Sequence, residues 1–340
     1  MTHGTQRFLL ARVLVFAVYC LVATIVLLGV TEIGVRIAYP EIESSGTSHD
    51  LAVDSVYGNS SGLRPNARGL SGGKMFSVDA LGYWKYSAQP DSLRDAWLFL
   101  GDSVTMGIGV EPDSTFAGRL SALCSGWHIV NPSWIGYSSA DYVNIIKAHL
   151  EKHRAVDPPM PQIGRITLFW TLNDVYSDLP VGVSPGQVVR ASAGSILSWL
   201  RQHYRTYIWL RSLLFDRPKS YFDFDAQFYR PDDPRFVAAT RDLLDIRDMC
   251  ANSSVRLEVV LLPYEYQLRS SDSTDLRPED LLCRWLDSLH IRRYDVATWL
   301  RTLPEDHKSF YLFGDGIHFS NRGHHEIARF VQDSICSQPR

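Results

Sequence analysis

From Val13 to Val30 the chain runs eighteen residues without a charge, and Phe8 to Ala11 extend the apolar stretch past Arg12. That length predicts a helix able to span a bilayer. Residues 35–95 are different: polar, rich in Gly and Ser, with turn signals at Tyr57-Gly58-Asn59, Arg64-Pro65-Asn66 and Ser71-Gly72-Gly73. Between these turns Met75-Phe76-Ser77-Val78 and Gly82-Tyr83-Trp84 read as short strands. From residue 96 onward, short apolar runs alternate with helical periodicity. The runs are Ala96–Leu100, Trp127–Val130, Arg165–Phe169 and Val255–Leu262. Ala96–Leu100, continuous and bounded by Gly101, has the form of a strand buried on both faces. Thr115–Leu123 places Phe116, Leu120 and Leu123 on one side of a helix, and Phe236–Asn252 and about Gly323 to Val331 also read as helices. Such alternation predicts an α/β domain with a mostly parallel sheet.

The chain therefore divides into a short tail (1–12), a membrane anchor (13–34), a small β-rich segment (35–95) and one large α/β domain (96–340). The β-rich segment fits a lid, a spacer from the membrane or an added sheet edge. An insertion at about 177–234 carries an amphipathic helix, Ile196–Leu214, and an aromatic-rich stretch, Tyr221–Tyr229. Either it shapes a substrate pocket or it is a packing excursion. Removing the anchor leaves about 305 residues, enough for a single large core.

Charge orients the anchor. Arg7 and Arg12 precede it, while Glu32, Arg36, Glu41 and Glu43 follow. The positive-inside bias puts the N-terminus in the cytoplasm and the rest outside. The apolar core exceeds that of a cleaved signal peptide and no convincing small-x-small site follows it, so a single-pass signal anchor is the reading, with cleavage as the lesser alternative. Net charge is −3 with 21% charged residues and no basic stripe, which argues against a nucleic-acid partner. Outside the anchor stand Cys124, Cys250, Cys283 and Cys336. Three pairings are open to them in an oxidising compartment, and none has C-x-x-C spacing.

Two blocks carry the chemistry. Phe99-Leu100-Gly101-Asp102-Ser103-Val104-Thr105-Met106-Gly107 places a serine in a strand-to-helix connection, at the edge where open α/β sheets hold their sites. It is not the nucleophile elbow of α/β-hydrolases, because Thr105 stands where the second glycine belongs. Asp315-Gly316-Ile317-His318-Phe319-Ser320-Asn321 offers a carboxylate and an imidazole three positions apart in a turn. Asp315 can hold one ring nitrogen of His318 while the other faces Ser103, the minimum kit for acyl transfer through a serine. A metal site of Asp315, His318, His324 and His325 is the weaker alternative, since the last two are adjacent on a helix and face different ways. His324, His325 and Glu326 read as a solvated helix start.

Two further blocks, Asn131-Pro132-Ser133-Trp134-Ile135-Gly136-Tyr137 and Phe169-Trp170-Thr171-Leu172-Asn173-Asp174, also follow strand-like runs. With four blocks in this order, residues 96–335 resemble the SGNH (GDSL-type) hydrolase superfamily. The resemblance implies a three-layer α/β/α sandwich of flavodoxin-like type. It implies Ser103 as nucleophile, His318 as base, Asp315 as its partner, and an oxyanion hole from the Ser103 and Gly136 N–H groups and the Asn173 amide. It implies no cofactor and no metal. Thr171 departs from the family, which has glycine there. Trp134, Tyr264 and Glu265, at strand ends on the same edge, are candidate substrate contacts. With the topology, the resemblance implies a serine esterase in a bacterial inner membrane, facing the periplasm. It would remove O-acyl groups, O-acetyl foremost, from a cell-surface or exported carbohydrate. The alternatives are a polysaccharide O-acyltransferase with the same triad, a lipase or lysophospholipase, and an idle glycan-binding subunit.

Overall fold

The computed structural model describes residues 3–42, 46–88, 95–152, 161–175, 199–200, 202–269 and 277–337. Helix α1 (His3–Ala38) contains a stretch, Ala11–Ala38, long and apolar enough to cross a membrane. Two separate antiparallel hairpins follow: β1 (Ala52–Tyr57) with β2 (Ser60–Leu63), and β3 (Arg68–Ser71) with β4 (Lys74–Ser77). Neither joins the central sheet, so the added-edge option falls. Gly82-Tyr83-Trp84 is not a strand. The Asp79 carboxylate accepts from the Leu81 and Tyr83 N–H groups and curls the chain into a turn, and the Trp84 N–H goes to the Asn131 carbonyl.

The sheet comprises β5 (Ala96–Leu100), β6 (His128–Val130), β7 (Ile163–Trp170), β8 (Arg256–Leu261) and β9 (Arg292–Asp295). All pairs are parallel, in the order β6-β5-β7-β8-β9. The winding reverses between β5 and β7, the position where doubly wound sheets open a crevice. The helices are α2 (Ser103–Met106), α3 (Phe116–Leu123), α4 (Ser139–Lys152), α5 (Arg205–Leu214), α6 (Arg217–Ala226), α7 (Pro234–Asn252), α8 (Glu265–Leu268), α9 (Asp280–Ser288), α10 (Val296–Arg301) and α11 (Asn321–Val331).

The period of two along each strand builds the layers. Ala96, Leu98 and Leu100 of β5 face one core with Leu168, Val259 and residues of α4, α7 and α9. Trp97 and Phe99 face the other with Phe169, Val260 and residues of α3, α10 and α11. The result is a three-layer α/β/α sandwich with a parallel central sheet. The amphipathic helix expected over Ile196–Leu214 is interrupted: Tyr204 is extended and α5 begins only at Arg205. Residues 196–198 and 201 of that expectation, and all of the insertion before them, lie outside the described residues. Of the pairings open to the cysteines, Cys124–Cys336 forms, joining the end of α3 to the chain beyond α11, while Cys250 and Cys283 remain buried thiols.

The solvated start expected at His324–Glu326 is a packed one. His324 is buried, and its Nδ1 accepts from the Phe116 N–H. Burial, with Arg119 nearby, pushes its pKa down to about 3, so it stays neutral. Glu326 is equally buried and pairs with Arg322 and Arg329.

Across β7 and β8, Arg165 makes a two-pronged bond to Glu258 at 2.7 and 3.0 Å, both residues fully buried. The guanidinium lies over the Trp97 ring, 4.6 Å from its centroid, and also donates to the Ile335 carbonyl. Removing one partner strands a charge without solvent. Glu258→Ala should therefore destabilise the domain by about 3–5 kcal/mol. Arg165→Met with Glu258→Leu should lose far less, and the comparison of denaturation midpoints checks it.

Candidate active site

Strand β5 delivers the serine. After Leu100 the chain passes through Gly101, where a Cβ would lie 2.0 Å from the Thr105 hydroxyl and 2.9 Å from the Phe169 carbonyl, so only glycine fits. Asp102 then caps α2, its Oδ1 accepting from the Val104 N–H at 2.8 Å. Ser103 is the first residue of that helix, almost fully buried. Its Oγ is 2.9 Å from His318 Nε2, and His318 Nδ1 is 2.9 Å from Asp315 Oδ1. The same Asp315 oxygen accepts from the backbone N–H groups of Ile317 and His318, which fixes the loop around the carboxylate. Residues 215 positions apart thus form one line of hydrogen bonds.

Electrostatics hold this line in one protonation pattern. Burial opposes charge on His318, but the Asp315 carboxylate and its hydrogen bond outweigh burial and raise the imidazole above its ordinary value. Burial likewise opposes charge on Asp315, and there the attraction of His318 and of Arg217 wins, keeping it ionised well below the usual carboxylate range. Arg217 was not anticipated from the sequence. It opens α6, stands 4.0 Å from Asp315 Oδ2, donates to the Tyr221 hydroxyl and lies over the Tyr221 ring. Its charge pulls the His318 pKa down, against Asp315.

Asn173 follows β7, across the crevice from Ser103. Its Nδ2 donates to Asp102 Oδ2 at 2.8 Å, the oxygen that lies 3.3 Å from Ser103 Oγ. The amide is therefore the serine's neighbour. Its orientation is fixed from the other side, where Oδ1 accepts from the Thr171 hydroxyl at 2.7 Å and lies 3.0 Å from the Tyr264 hydroxyl. Thr171 thus supplies a hydrogen bond that a glycine at that position could not. Asp174 is buried behind it and accepts from the Thr171 N–H at 2.8 Å.

Gly136 sits in an exposed loop after β6, and its N–H makes no hydrogen bond among the described residues. The hairpin segment braces that loop: Trp84 Nε1 donates to the Ser133 carbonyl, and the Tyr137 hydroxyl donates to the Ser61 carbonyl. Trp134 is half-buried beside Gly136, stacked on Trp84.

One expected substrate contact is corrected. Tyr264 is fully buried, its hydroxyl shared between Asn173 and Asp225 Oδ2 at 2.6 Å, so it orients the amide rather than meeting a ligand. Glu265 is buried as well and takes the Arg269 guanidinium at 2.7–3.0 Å. Both side chains turn inward because the one-turn α8 follows β8 and docks on the insertion. Glu265 and Arg269 line a cavity of about 460 Å³ with Leu213, Phe215 and Asp315, which lies behind the triad and which neither Ser103 nor His318 lines.

No protein-family model matches the sequence, and no curated protein matches it by sequence. Solved structures do resemble it. A lipase/acylhydrolase from Enterococcus faecalis shares 15% identity over 72% of this chain and 98% of its own, with TM-score 0.39. A lipolytic G-D-S-L family protein from Veillonella parvula shares 13% over 72% and 99%, with TM-score 0.42. An acetyl xylan esterase, AlAXEase, shares 12% over 71% and 99%, with TM-score 0.40. With likeness of this degree, the chemistry rests on the geometry of this site.

The imidazole of His318 should titrate above 6.5, the value of an unperturbed histidine. Asp315→Asn removes the raising charge and should drop it below that value, and Arg217→Gln should move it further up. Side-chain NMR titration reads all three.

Proposed function

We propose that this is a membrane-anchored serine esterase of the SGNH type, removing O-acyl groups, O-acetyl foremost, from a cell-surface or exported carbohydrate. The observation that carries the reading is the line from Ser103 Oγ through His318 to Asp315, with both links at 2.9 Å. Neutral His318 takes the Ser103 proton as Oγ attacks the ester carbonyl. Ionised Asp315 stabilises the imidazolium that forms. The Ser103 and Gly136 N–H groups and the second N–H of the Asn173 amide receive the oxyanion, each worth about 2.7–4 kcal/mol of barrier. The tetrahedral intermediate expels the alcohol, which leaves with the proton from His318. Water, activated by the same imidazole, then releases the acid and restores Ser103.

Anchor and charge supply the location. Arg7 and Arg12 precede the apolar stretch, which favours a cytoplasmic N-terminus and a periplasmic catalytic domain. The Cys124–Cys336 disulfide fits an oxidising compartment. Trp134 beside the Gly136 loop offers a flat apolar edge for a sugar ring.

The full chain in nanodiscs should hydrolyse p-nitrophenyl acetate and release acetate from an acetylated polysaccharide, and Ser103→Ala should abolish both. A folded wild type no faster than Ser103→Ala on every ester would sink the proposal. Preference for long-chain over acetyl esters would move the substrate to lipids, and acyl gain by an added glycan would make it a transferase. Asn173→Ala should lower kcat about 10²–10³-fold. Thr171→Val should cost about tenfold, near 1.4 kcal/mol, through loss of one orienting bond. Because only neutral His318 can act as base, kcat/KM should fall as pH drops through an inflection above 6.5.

A further inference from the structure

Helix α5 turns an apolar stripe outward. Leu210, Leu213 and Leu214, at i, i+3 and i+4, share one face, and Phe215 follows at its end. All four are exposed, the last three by more than 60%. A stripe with this spacing ordinarily faces a core. Here it lies on the surface, and contiguous exposed apolar side chains mark a site of interaction.

The neighbouring element says what covers it. Glu32 of α1 accepts from the Arg205 N–H at 3.1 Å and from the Thr206 N–H and hydroxyl at 2.9 and 2.8 Å. The membrane-helix candidate thus supplies, from 173 residues away, the carboxylate that caps α5. Further pins are a bond from Arg36 to the His203 carbonyl, one from Arg205 to the Pro40 carbonyl, and ring contacts of Tyr39 with Trp209 and Phe313. From Val13 to Glu32 the helix rises about 28 Å at 1.5 Å per residue, close to the thickness of a hydrocarbon layer. Glu32, and with it the start of α5, therefore falls at the layer's outer boundary. Ile33 and Ile37 stay exposed beside it, and Trp199, Tyr204 and Trp209 surround the junction, the residue types that collect at lipid headgroups.

We propose that α5 is an interfacial helix: Leu210, Leu213, Leu214 and Phe215 insert into the outer leaflet of the bilayer that α1 crosses. This rests on the anchor reading above. The same surface supports the catalytic loop. A Cβ on Gly316 would lie 2.4 Å from Pro218, and Gly314 packs against Ser212, so the backbone around Asp315 is seated directly on the α5–α6 junction. The site is thereby held at a fixed height above the membrane, within reach of esters borne by molecules emerging from that leaflet.

The test uses the full chain in vesicles of phosphatidylethanolamine and phosphatidylglycerol, with Cys250 and Cys283 replaced by alanine and a nitrobenzoxadiazole probe on the single free thiol that remains. Native Cys20, exposed on α1, reports the span. In a Cys20→Ser background, Leu213→Cys reports the stripe, and Asn252→Cys, exposed at the end of α7 on the opposite edge of the sheet, is the reference. The Leu213 probe should shift to shorter wavelength and be quenched about twofold or more by lipids spin-labelled near the headgroup, with no quenching at Asn252. If Cys20 is quenched by deep spin labels and Leu213 behaves as Asn252 does, the anchor stands and the docking falls. A blue shift at Leu213 without lipid quenching means a protein covers the stripe, which also overturns it. No quenching at Cys20 removes the anchor reading itself.

Discussion

The candidate site hangs on one carboxylate, that of Asp102. Its Oδ1 caps α2, which sets the backbone of Ser103, and its Oδ2 touches both Ser103 Oγ and the Asn173 amide. Those two residues come from β5 and β7, adjacent strands on either side of the point where the sheet reverses its winding. A parallel pair alone brings the strand ends close. The carboxylate converts that proximity into a fixed spacing between the hydroxyl and the amide donor, before any substrate arrives.

Around this centre buried polar side chains hold one another in place. Thr171 and Tyr264 hold the far side of the Asn173 amide, Tyr264 leans on Asp225 of α6, and Arg217 of the same helix faces Asp315. The insertion therefore reaches the candidate site at two places. One fixes the direction of a donor and the other sets the charge around the base. Such buried networks are rigid when every member is satisfied, and costly when one is removed.

Much of this arrangement was legible from residue order because it depends on short-range pattern. Strands buried on both faces announce themselves as apolar runs, and Ser103, Asp315 and His318 stand in turns after such a run or before a helix, whereas Gly136 and Asn173 were pointed out by the family resemblance. The structure brings Ser103, His318 and Asp315 into one line. The unreadable parts depend on distant partners. Nothing around Arg217 or Asp225 distinguishes them from other charges on a helix until α6 is folded against Asp315 and Tyr264. Tyr264 and Glu265 stand at the right edge of the sheet, but their direction was set by α8 docking on the insertion, and they turned inward. His324 looked solvated because adjacent histidines suggest a wet helix start, whereas α11 lies against α3 and buries one of them. Thr171 stands where the resemblance implies glycine, and its hydroxyl supports the Asn173 amide.

The bond between Cys124 and Cys336 has a topological effect beyond its local contacts. It closes a ring that begins after the serine and contains everything from β6 to α11. The exposed connections in the ring are where a protease would first cut. One such cut opens the ring without dividing the molecule. The piece carrying Ser103 and α1 stays covalently tied to the piece carrying His318, so a nicked molecule remains a single particle.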